Sequence, residues 1–155
     1  MRTFTTALML LSCVYIHAQN SRSMSMSSYQ SVVQQLSTEL QNNSQDNEFQ
    51  RGIRFRVTVH PNNEIRIEQT WLQNNGTQDQ MVLSFHPRDI IDVDKKYHKD
   101  AMGLAIRCTE NAVANYWLNQ RHLNNSVNIQ CLRDDLEAVA RIKKTLLQLK
   151  ELSTR

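Results

Sequence analysis

From Tyr29 onward the apolar positions fall three and four residues apart, at Tyr29, Val32, Val33, Leu36 and Leu40. That spacing predicts a helix over 29–42, capped by Ser27 or Ser28, with Gln30, Gln34, Gln35 and Thr38 turned away from the stripe. The polar run Asn42 to Asn47 ends it. The period then changes to two. Ile53, Phe55, Val57 and Val59 alternate with Arg54, Arg56, Thr58 and His60, a half-buried strand. After Pro61-Asn62-Asn63, a second strand places Ile65, Ile67, Gln69 and Trp71 on one face. A three-residue loop closing His60 opposite Glu64 keeps both apolar sets together, with Asn63 suited to the left-handed position. The same register sets Arg56 opposite Glu68, a cross-strand pair worth ~0.2–1 kcal/mol.

Asn74-Asn75-Gly76-Thr77 predicts the next turn. A third strand carries Met81, Leu83 and Phe85, bends at His86-Pro87 and continues through Arg88 to Asp94. Lys95 to Lys99 reads as a basic surface loop. Leu104, Ile106 and Cys108 mark a fourth strand, Val113 to Leu118 a fifth, and Val127, Ile129 and Cys131 a sixth, with a polar loop over 121–125. The closing helix has Asp134 as cap, with Glu137 three residues on, and a stripe of Leu136, Val139, Ile142, Leu146 and Leu149, reinforced by Leu147. Lys143, Lys144 and Lys150 lie towards its C-terminus, where the helix dipole favours cations. The fold class is α+β: an N-terminal helix, then a strongly bent antiparallel sheet or partly open barrel of about six to seven strands, closed by a C-terminal amphipathic helix.

The first eighteen residues read as an address rather than structure. Arg2 supplies a charge, an apolar run extends from Ala7 to Ile16 around Ser12, and Ala18 precedes the expected cut: a secretory signal peptide. The run is shorter than the roughly 20 apolar residues a membrane span needs, and no second such run follows. The alternative at this end is lipid attachment through Cys13, following Leu10-Leu11-Ser12. Residues 19–28 are Ser- and Met-rich and are expected to be a flexible leader, before a single domain over 29–152. The expected location is outside the cytoplasm, periplasmic or extracellular.

Composition narrows the chemistry. The chain has 155 residues and a formal charge of +3, too little to concentrate a polyanion, so no nucleic-acid partner is expected. With 3 Gly and 2 Pro there is no phosphate-cradling loop, dinucleotide fingerprint or nucleophile elbow. His60, His86, His98 and His122 have no ligand spacing, and Lys96 and Tyr97 interrupt the pattern that would make Asp89, Asp92 and Asp94 a calcium loop. No metal, cofactor or catalytic residue is assigned. Cys108 and Cys131 end apolar alternations. A meander of the last three strands would separate them by about 9.5 Å, two strand spacings, beyond the ~7 Å a disulfide spans. Buried free thiols are therefore the favoured reading, with a disulfide as the alternative.

A bent antiparallel sheet closed by one amphipathic helix resembles the plan of a pleckstrin-homology-like (PH-like) domain, here over 52–150. The resemblance rests on Phe85-His86-Pro87-Arg88-Asp89-Ile90-Ile91-Asp92-Val93, Leu104-Ala105-Ile106-Arg107-Cys108, Val127-Asn128-Ile129-Gln130-Cys131 and the closing segment from Asp135 to Lys150. The chain is similar to short exported bacterial proteins that carry such a domain after an N-terminal helix and have no assigned activity. That implies a non-enzymatic binding role towards a protein or envelope surface. The basic lipid-binding motif of eukaryotic PH domains has no counterpart, since the first hairpin turn is only Pro61-Asn62-Asn63.

The candidate interaction surface has two parts. Lys95, Lys96, Tyr97 and Lys99, with Arg121, form a basic set suited to an acidic partner or anionic surface. Tyr116 and Trp117 are strand neighbours, so one is expected in the core and the other as an exposed anchor. The competing functional reading is a cystatin-like or NTF2-like cone that binds or converts a small ligand between helix and sheet, which predicts a concave pocket with converging polar groups.

Overall fold

The computed structural model describes residues 28–48, 50–98, 101–110, 112–117 and 120–154, with backbone alone at 97, 98, 101, 115–117, 120, 121 and 131. The predicted signal peptide, Cys13, leader residues 19–27 and Lys99 lie outside the described residues.

Helix α1 is helical across 28–42, so Ser28 belongs to the helix rather than to the leader. Its stripe Tyr29, Val32, Val33, Leu36 and Leu40 is buried as the spacing required. Strand β1 (Gln50–Val59) pairs antiparallel with β2 (Ile65–Gln73) in the expected register, with Arg56 opposite Glu68. The turn closes through His60 N–H donating to Glu64 O at 2.9 Å, and Asn63 has φ 65°. The expected Arg56–Glu68 ion pair is replaced by one within β2: Arg66 Nε lies 3.0 Å from Glu68 Oε1. Residues two apart on a strand share a face, so Arg66 reaches the same carboxylate. Strand β3 (Gln78–Phe85) follows the Gly76 turn and adds to β2.

At Pro87 the path departs from a single bent strand. Pro87–Asp89 form one 3-10 turn, and β4 (Ile90–His98) enters a different sheet. Proline cannot donate to a ladder, and its fixed φ favours a helical turn, so the strand ends instead of bending. The run Lys95–His98 is therefore strand, not loop, held by pairing with β5 (Ala101–Cys108). Likewise 120–124, read as part of a polar loop, is β7 (Gln120–Asn124), paired with β6 (Val113–Trp117). Both segments lie on sheet edges, where an apolar alternation is not required. The break at Pro87 and the added β7 bring the described strands to eight, with β8 (Ser126–Leu132) last.

The strands form an antiparallel five-stranded sheet, β1-β2-β3-β6-β7, and a three-stranded sheet, β4-β5-β8; the described ladders do not close into a barrel. The expected meander of the last three strands is absent: β5 pairs directly with β8, while β6 joins β3. Cys108 and Cys131 are thus on adjacent strands, one spacing apart rather than two. Distance along the ladder separates them instead. Cys131 sits beside the Met102–Leu104 irregularity, about five residues or roughly 17 Å from Cys108. Cys108 is a free thiol, and burial pushes it up to about 11. At that irregularity Gly103 is obligatory, because a Cβ there would stand 2.3 Å from Ile129 O.

Helix α2 (Leu136–Ser153) is capped by Asp135, one residue after the expected Asp134; its carboxylate accepts from Glu137 N and Ala138 N. Consequently Leu136 opens the helix outside the stripe and is 55 % exposed. Val139, Ile142, Leu146 and Leu149 are buried, joining both sheets and α1 in one core. The chain is α+β, with a helix at each end of the strand series.

Candidate interaction surface

The residues singled out from sequence are divided between the two sheets. Lys95 and Lys96 are exposed on β4, an edge of the three-stranded sheet, and the Tyr97 backbone continues that strand opposite Met102. Tyr116 and Trp117 lie on β6, and Arg121 on β7. Register brings two of these together: Tyr116 is the partner of Arg121 on one side and Val82 on the other. A row Arg56, Glu68, Val82, Tyr116, Arg121 therefore crosses all five strands. The next row is Thr58, Arg66, Ser84, Ala114, Leu123. Val82 and Ala114 are buried yet stand apart from the main core cluster, while Leu123 is 50 % exposed.

The first turn adds a polar group that sequence reasoning passed over. Ser84 Oγ donates to Glu64 Oε1, and the Glu64 carboxyl is held below its ordinary range. The largest cause is that bond, followed by Asn62 and the nearby His86 and His60, against a desolvation cost. Only the hairpin register brings these residues together, so no local spacing announced them.

Charge on β4 is engaged by its neighbours. Arg107 Nη2 lies 3.2 Å from Asp92 Oδ2, and Lys143 Nζ on α2 is 3.7 Å from Asp94 Oδ1. Asp92 is held below its ordinary range by a hydrogen bond shared with Asp94, then by Val93 N–H, Lys143 and Arg107.

Four strands end the two sheets, and they are treated differently. On β1, Gln41 Oε1 accepts from Phe55 N at 2.9 Å, and the Asp46 carboxylate accepts from Gly52 N and Ile53 N. On β8, Ser44 bridges Leu132 and Arg133 N donates to Asn43 O at 2.8 Å. At the start of β4 the register shifts at Ile91 and Lys150 Nζ donates to Ile90 O at 2.6 Å, and further along the edge carries the exposed Lys95 and Lys96. Each is a recognised way of blunting an edge. Among the described residues, β7 has β6 on one side and no hydrogen-bonded neighbour on the other.

Two open grooves lie on the described surface. One of about 550 Å3 runs between α1 and α2, lined by polar groups that include Gln34, Gln35, Glu39 and Arg141. A smaller one of about 220 Å3 lies over Gly52, Arg54, Thr70 and Leu72. Among the described residues no three His, Cys, Asp or Glu side chains gather as metal ligands, and no helix is long and apolar enough to cross a membrane. No protein-family model matches this chain, and no curated protein or solved structure gives a significant match.

Proposed function

We propose that the chain is an exported, non-catalytic binding module with a PH-like plan, engaging a polypeptide partner at the β7 end of its five-stranded sheet. The observation that carries this reading is the contrast among the edges. The chain's own groups engage β1 and β8, and β4 carries a register shift at its start and the exposed Lys95 and Lys96 beyond it, whereas among the described residues β7 keeps an open side and a half-exposed Leu123. The PH-like reading draws support from α2, whose apolar stripe packs against β4 and the 3-10 turn, with Ile142, Leu146 and Leu149 fully buried. Such packing is what the module predicts, whereas the cystatin-like or NTF2-like alternative predicts a pocket with converging polar groups between helix and sheet.

The test is a photo-reactive residue installed at position 123, with position 72 as the control, since Leu72 is comparably exposed on β2 at 46 %. Irradiation in the producing cells is expected to give a discrete protein adduct from position 123 and none from position 72. Equal patterns, or none from 123, would overturn the assignment. The exported chain is expected to lack residues 1–18; an uncut chain held in the cytoplasm would remove that part of the reading.

A further inference from the structure

We infer that β7 takes an extended, carboxylate-bearing peptide segment as an antiparallel sixth strand of the sheet. This rests on the binding role proposed above and names the chemistry of the partner. An open strand edge presents alternating N–H and C=O groups, whose geometric complement is another strand. Every described ladder is antiparallel, so the added strand follows the same pattern.

Charge selects the occupant. From Val113 to Asn124 the β6–β7 hairpin contains Arg121 and His122 and no Asp or Glu. A second copy pairing through its own β7 would set Arg121 against a strand with no carboxylate to offer. An acidic segment supplies one. Leu123 stands two residues from Arg121, the repeat that brings two strand positions to one face. In an antiparallel partner, the residue opposite Leu123 comes two positions before the residue opposite Arg121. The complementary segment therefore reads apolar, any residue, then Asp or Glu.

The experiment uses an acetylated, amidated peptide, Ser-Thr-Val-Thr-Glu-Thr-Ser, with a twin carrying Lys in place of Glu. Backbone amide exchange is followed by NMR on the signal-free chain at probe concentrations of about a millimolar, suited to a short strand. Alternate amides within 120–124 are expected to slow by about tenfold with the Glu peptide, as outward N–H groups gain partners. The Lys peptide is expected to leave them unchanged, and Arg121→Gln to abolish the difference between the two. Added salt is expected to weaken the effect. Protection that is absent, appears elsewhere, or is the same for both peptides overturns the inference. An adduct at position 123 beside unchanged amide exchange would leave the binding reading standing and remove this one; equal adduct patterns would remove the binding reading instead.

Discussion

The Tyr29 hydroxyl donates to the carbonyl oxygen of Asn63 at 2.8 Å, tying the first turn of α1 to the left-handed residue of the β1–β2 turn. Burial pushes the phenol up to about 12, so it is a donor at neutral pH. Tyr29→Phe keeps the ring packing and deletes only this bond. The expected cost is about 0.5–1.5 kcal/mol, read from urea unfolding midpoints at unchanged slope.

Gly103 and Gly76 separate two reasons for glycine. At Gly76 the space is open and only φ 81° resists a side chain, so Gly76→Ala should cost about 1–2 kcal/mol. At Gly103 the new methyl would meet the Ile129 carbonyl, which is backbone and cannot step aside. Gly103→Ala is expected to lower the melting temperature more than Gly76→Ala does, by prying β5 from β8. Equal shifts would refute the close approach.

The position of the α2 cap is tested by two neighbouring substitutions. Asp135→Ala removes the acceptor for Glu137 N and Ala138 N and should cost about 0.5–2 kcal/mol. Asp134→Ala should be near neutral. Thermal unfolding of the pair decides between the observed cap and the one sequence spacing suggested.

Glu64 gives a pH dependence of definite sign. Its folded-state carboxyl lies below the ordinary 4.5, chiefly through Ser84. Its contribution is therefore present above that value and is lost as pH falls through the lowered folded-state value. Glu64→Gln should be less stable than the parent near neutrality, with the gap closing below about pH 4.5. Denaturant unfolding at several pH values measures it; a gap that widens on acidification would contradict the assignment.

The parts legible in the sequence are those whose partners lie close along the chain. The stripes of α1 and α2 and the β1–β2 register follow from spacings of a few residues and one turn, and Asn63 adopts the conformation its type favours. The candidate surface was legible only in fragments. Tyr116 and Arg121 meet because β6 and β7 pair, but 120–124 was hidden by its polarity, and Lys95 and Lys96 lie on the other sheet.

Local periodicity thus determined the α+β class, both helices and the first hairpin, because hydrophobic repeats and turn residues act over neighbouring positions. Tertiary structure alone decided that Pro87 sends the chain into a second sheet, that β8 chooses β5, and that β7, among the described residues, is left with an open side. Strand pairing is settled by burial and ladder bonds between distant residues, and several strands of similar composition can satisfy it until the whole core is assembled.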